Sequence, residues 1–114
     1  MINISAAEDE RGPYLVVQCQ DGRVFMADDI DRSLVETHTW RIYSRKITPN
    51  CCYAYRPDSP GIMLFHREIM GAPKGMQVDH RDWNSLNNRR YNLRLATKKQ
   101  NNSYIRPGRS RTGR

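Results

Sequence analysis

The sequence predicts an α+β fold. N-terminal β-hairpins and a short helix lead into a C-terminal unit of strand, long loop, strand and helix, all in one small domain. Three observations carry this prediction. Short apolar, β-prone runs are separated by turn residues, helical spacing is confined to brief stretches, and a helix-start signature follows the last apolar run. A chain of 114 residues makes a single domain, and one this size buries roughly two-thirds of its unfolded surface. Residues 1–105 are expected to form that domain and 106–114 (R-P-G-R-S-R-T-G-R) a basic, mobile tail.

The first strand pair is residues 14–17 (Y-L-V-V) and 23–26 (R-V-F-M), with Asp21-Gly22 as a hairpin turn. Asp28-Asp29 read as a helix start, with Ile30, Leu34 and Val35 toward one face. Residues 40–43 and 52–55 read as a second strand pair connected through Thr48-Pro49-Asn50. Residues 57–61 make a turn, and the apolar segment 62–65 begins the next element. Phe65 and Ile69, four apart, predict a short helix through Met70, ended by Gly71 and Pro73.

Residues 76–79 and 93–96 read as partner strands. The intervening residues 80–92 are too many for a plain hairpin turn, and loops of that length are usually functional or disordered. Thr97 and Gln100 form a capping box for a helix over 98–105, ended by Pro107-Gly108.

Composition narrows the function classes. No apolar run approaches about 18 residues, so no membrane span is expected. The N-terminus lacks a basic stretch followed by an apolar one, so no secretory signal is expected. Cys19, Cys51 and Cys52 are odd in number and contain no C-x-x-C pair, which reads as reduced thiols in a cytoplasmic protein and leaves a structural zinc without evident ligands. Charge is uneven: residues 1–36 carry eight acids and three bases, residues 81–114 one acid and ten bases. The C-terminal half therefore suits a polyanion. A merely solvated basic surface would explain the charge but not its interleaving with the residues described next.

Residues 78–102 read V-D-H-R-D-W-N-S-L-N-N-R-R-Y-N-L-R-L-A-T-K-K-Q-N-N. Asp79 and Asn101 can offer oxygen ligands to a hard cation such as Mg²⁺. His80, with an unperturbed pKa near neutrality, can take a proton from water. Arg81, Arg89, Arg90, Arg94, Lys98 and Lys99 suit phosphate, and Arg106, Arg109, Arg111 and Arg114 extend the basic stretch into the tail. A base, a cation site and a phosphate-binding surface are the parts needed to hydrolyse a phosphodiester.

The motif resembles the HNH endonuclease family, in particular its phage and intron-associated homing branch. There an Asp-His pair is followed by an Asn and then by Asn or His. His80, Asn92 twelve residues later and Asn101 nine after that fit the order. Leu64-Phe65-His66-Arg67 and residues 88–94 (N-R-R-Y-N-L-R) are also similar to this branch. The similarity is strong over 62–104 and weaker over 23–56, where Asp28-Asp29, Trp40 and Tyr53-Ala54 carry it. It is absent over 1–12.

The resemblance implies a ββα-metal (His-Me finger) unit over about 76–105. It implies His80 as general base, Asp79 and Asn101 as metal ligands, and Asn92 as the residue that pins the loop and orients the base. The Asp/Asn oxygen pair favours Mg²⁺ or Mn²⁺ over softer ions. The implied activity is a metal-dependent DNA endonuclease of nicking or homing type in a bacterial or phage-infected cytoplasm. A monomer would nick double-stranded DNA and a homodimer could cut both strands. The competing reading is a non-catalytic basic DNA- or RNA-binding protein that keeps the fold. Of the other residues, His66 is expected to be a hydrogen-bonded structural imidazole. His38 has no supporting context. Asn84, Asn87 and Asn88 are expected to form turns, and Trp83 to pack under the loop or touch DNA.

Overall fold

Apolar alternation decides which face of each strand is buried. In β2 (Gly12–Gln18) Leu15 and Val17 are buried, and in β3 (Val24–Asp28) Phe25 and Ala27 are. The antiparallel register sets Leu15 beside Ala27 and Val17 beside Phe25, so all four share one face. The connection is longer than a tight Asp-Gly turn. Gln18 pairs with Val24, and the Cys19 N–H donates to the Arg23 carbonyl at 2.8 Å.

The computed structural model describes residues 3–44 and 52–97, and it adds a strand the sequence reading lacks. β1 (Asn3–Asp9) pairs with β2 along its whole length. Its sequence, N-I-S-A-A-E-D, has almost no apolar alternation; Ile4 packs against the core, and backbone pairing with β2 holds the rest of this edge. Gly12, at φ +103°, takes the left-handed backbone needed to return the chain into β2.

After β3 a 3-10 turn (Asp29–Asp31) leads into helix α1 (Arg32–Thr37). Val35 is fully buried, whereas Ile30, expected on the same face, is 77% exposed because the chain enters through the tighter 3-10 turn. β4 (Arg41–Ser44), β5 (Cys52–Asp58) and β6 (Gly61–Leu64) form an antiparallel three-stranded sheet. The expected 48–50 connection lies outside the described residues. Helix α2 (Phe65–Met70) follows β6 directly and ends at Gly71, whose left-handed backbone lets its N–H bond the Glu68 carbonyl.

Phe25, Trp40 and Phe65 meet at the centre of the core, with Phe65 4.7 Å from Trp40 and 5.0 Å from Phe25 between ring centroids. One aromatic comes from β3, one from the segment before β4 and one from α2. The two sheets and both helices therefore share one apolar core, and the described residues form an α+β domain.

The third sheet is a two-stranded hairpin of β7 (Met76–His80) and β9 (Leu93–Thr97). The 80–92 connection is far from structureless. It contributes β8 (Asn87–Asn88), which pairs in parallel with β3, and a 3-10 turn (Arg90–Asn92). The helix expected over 98–105 and the tail lie outside the described residues. Among those described, no helix is long and apolar enough to cross a membrane.

Candidate active site

Strand geometry separates the two adjacent residues Asp79 and His80. Successive side chains on a strand point to opposite sides. Asp79 faces Arg94, its cross-strand partner, and Asp79 Oδ2 accepts from Arg94 Nε at 3.3 Å. His80 turns the other way and is 5% exposed. Its Nε2 lies 2.8 Å from Asn88 Oδ1, and its ring packs edge-on to His66 at 4.9 Å.

Two helix residues support this strand from outside the loop. Arg67 Nη1 donates to the Met76 carbonyl at 2.9 Å, which ties α2 to the start of β7. His66 is buried between the rings of Tyr53 and His80. Its Nδ1 has no hydrogen-bond partner among the described residues, so the expectation of a hydrogen-bonded imidazole is not met at that atom. Burial, followed by the neighbouring His80 and Arg67, lowers the His66 pKa to about 3. His66 is thus a neutral ring against His80 across the physiological range.

Asn92 joins three points of the loop. Its Oδ1 accepts from the Asp82 N–H at 2.9 Å, and its Nδ2 donates to Asp82 Oδ1 and to the Asn87 carbonyl. Its own carbonyl accepts from the Arg81 N–H at 2.7 Å. Asp82 is the second hub and accepts from the Asn84 N–H and Asn87 Nδ2. Burial pushes its carboxyl up, but the hydrogen bonds from Asn87, the Asn84 backbone and Asn92 prevail and hold it below the ordinary carboxylate range. Asn84 does form a turn, its Oδ1 accepting from the Leu86 N–H. Trp83 adopts φ +60°, and its N–H donates to the His80 carbonyl.

Asn88 departs from the turn role expected of it, whereas Asn87 keeps one, its Oδ1 accepting from the Arg89 N–H at 3.3 Å. Both are buried in β8, where pairing with Met26 and Ala27 makes them part of the first sheet. Arg89 and Arg90, expected to face phosphate, both make ion pairs within the fold. Arg89 is 2% exposed; it bonds Asp28 at 2.9 Å and Asp9 at 2.7 Å and lies over the Tyr14 ring. Burial opposes its charge, yet the bonds from Asp9 and Asp28 raise its pKa overall. Arg90 makes a two-pronged pair with Asp31, and its N–H donates to Asp28. The Arg89 guanidinium is enclosed by its carboxylate partners, whereas Arg90 keeps about half of its side chain exposed beside Asp31. These two arginines fasten the loop to the N-terminal sheet.

Of the remaining expected site residues, Arg81 is exposed and Arg94 half-buried beside Asp79. Asn101, Lys98, Lys99, Arg106 and Arg109 lie outside the described residues. Among the described residues no three His, Cys, Asp or Glu side chains converge as a metal cage. The sequence reading missed Asn88 and Asp82 as site residues. Both sit in a polar run where every Asn and Asp has turn propensity, and only the three-dimensional pairing distinguishes them.

Residues 68–103 match the HNH endonuclease family. The matched segment begins in α2 and takes in β7, the whole 80–92 loop and β9. Comparison with curated proteins and with solved structures finds no match.

Proposed function

We propose that this protein is a metal-dependent DNA endonuclease that hydrolyses phosphodiester bonds by HNH-type chemistry. The observation that carries the reading is the divergence of Asp79 and His80 at the end of β7, within the segment that matches that family. Such a pair can flank one phosphate, with an acid on one side and a base on the other.

His80 acts as the general base. It takes a proton from a water that attacks phosphorus in line with the departing 3′ oxygen, and the P–O3′ bond breaks. Asp79 and Asn101 would hold Mg²⁺ or Mn²⁺, which would supply charge neutralisation at the phosphate and the leaving oxygen. Asp79 fits this role as an anionic oxygen donor at a strand end. Its carboxylate faces Arg94 at 3.3 Å across the hairpin. Asn92 and Asp82 hold the loop closed and so keep the base in place.

The substrate is double-stranded DNA. Arg81, Arg90, Arg94, Lys98, Lys99, Arg106 and Arg109 are assigned to its phosphates, and Arg89, buried against Asp9 and Asp28, to holding the loop. One such site cuts one strand, so a monomer nicks and a homodimer can break both. Incubation with supercoiled plasmid in Mg²⁺ or Mn²⁺ tests the reading. Open circles that EDTA suppresses support it. Intact plasmid under all metal conditions favours a DNA- or RNA-binding protein that has kept the fold without its chemistry.

A further inference from the structure

We propose that the outer face of the β4–β6 sheet, with Tyr43, Tyr53 and Tyr55, holds unpaired bases of a DNA strand beside the candidate active site. The proposal rests on the nuclease reading for its substrate. It adds that bases next to the cut leave the duplex and stack on these rings.

Strand register builds the face. Tyr43 lies beside Tyr53, and Tyr55 lies between Arg41 and Leu64. Alternate residues turn the other way, where Ile42 and Ala54 are buried in the core and Arg56 pairs with Glu68 of α2. The three tyrosines are half-buried, and Tyr43 packs against both others, 5.9 Å from Tyr53 and 5.4 Å from Tyr55 between ring centroids. Solvent-facing strand positions are ordinarily polar. Here three neighbouring ones are aromatic.

The row of rings continues to the candidate active site. His66, two residues past Leu64, packs on Tyr53 at 5.7 Å, and its ring meets that of His80 at 4.9 Å. A strand with its scissile phosphate at His80 therefore has the tyrosine face beside it.

Charge fits the face to a polyanion. Arg41 is exposed on it, and the one acid of the three strands, Asp58, lies on the opposite side, 3.7 Å from Arg56. An aromatic ring can stack on any base, but a base offers its flat side only when it is out of the double helix. A duplex would present only phosphates and groove edges to these rings. Three rings and a cation without a carboxylate suit the unpaired strand.

Binding of the full chain to a labelled oligothymidylate of about 12 nucleotides, and to a duplex of equal length, tests the proposal in EDTA, where no cleavage is needed. Tyr43→Ala and Tyr55→Ala should each weaken oligothymidylate binding by about 5- to 100-fold, the usual effect of losing one stacked base, and change duplex binding by less than about twofold. Tyr43→Phe and Tyr55→Phe keep the ring and should bind like wild type. Arg41→Ala should shallow the dependence of log K on log salt by about 0.7, and Tyr43→Ala should leave that slope alone.

Alanine variants that bind the oligothymidylate like wild type, or that lose strand and duplex equally, overturn the proposal. If they do not fold, photo-cross-linking of an iodouracil-containing strand to the wild type decides it. Adducts on Tyr43, Tyr53 or Tyr55 support the proposal, and adducts confined to other residues overturn it. Plasmid that stays intact while the strand binds as described would remove the nuclease reading and leave the tyrosine face standing. Nicking without any effect of the tyrosines would do the reverse.

Discussion

Arg89 and Asp28 lie 61 residues apart in the chain, yet Arg89 Nε donates to Asp28 Oδ1 at 2.9 Å. Asp9 closes on the same guanidinium, and Asp31 takes Arg90. Part of the acidic excess of residues 1–36 is therefore matched internally by arginines of the 80–92 loop. The charge asymmetry seen along the sequence is in part a contact between the two halves of the molecule.

Arg89→Ala should destabilise the domain by about 1–3 kcal/mol, since Arg89 is buried but Asp9 remains open to solvent. Urea denaturation measures it. A loss below about 1 kcal/mol would mean that Asp9 and Asp28 re-solvate freely and that the tie is weak.

Asn92→Ala removes a side chain that makes three hydrogen bonds within the loop. It leaves the buried Asn87 carbonyl and the Asp82 N–H short of a partner, at about 1–3 kcal/mol for each group so stranded. Both melting temperature and cleavage rate should drop. A variant that melts like wild type while losing cleavage would make Asn92 a participant in the chemistry rather than a loop anchor.

The elements with apolar alternation or helical spacing were legible in the sequence. β2 and β3, α2 with its Gly71 stop, and β7 and β9 were each located within a few residues, because burial selects their pattern. β1 and β8 were not, because their residues are polar and their pairing is made by backbone. At the candidate site the Asp79-His80-Asn92 order could be read from spacing. The partners Asn88 and Asp82 could not, since nothing local in a polar run says which amide will face an imidazole. Charge alone marks Arg89 and Arg90 for phosphate and does not reveal their internal ion pairs. Their partners Asp28 and Asp31 lie far upstream, and only the β3–β8 pairing brings them together.

His66 gives a pH test. The unfolded chain takes up a proton near pH 6.5, while the folded protein resists it until about pH 3. Across that window the unfolded state binds more protons, so stability falls as pH falls. Thermal melts from neutral to acid pH should show a steeper decline for wild type than for His66→Phe, which has no proton to take. Parallel declines would mean that His66 is not the buried neutral ring described here.

Metal dependence should follow Asp79. Wild-type cleavage is expected to stop in EDTA and return with Mg²⁺. Asp79→Ala should need far more metal for any activity and respond better to Mn²⁺. Metal titration of the cleavage rate reads this out, and an unchanged metal requirement in Asp79→Ala would remove Asp79 from the proposed cation site.

The central claim is that His80 removes a proton from the attacking water, and single-turnover cleavage of plasmid by His80→Ala at saturating enzyme tests it most directly. Positioned general bases contribute about 10² to 10⁴-fold in rate. The variant should bind DNA with wild-type affinity and cleave slower by that factor. Cleavage by His80→Ala at close to the wild-type rate would contradict the assignment.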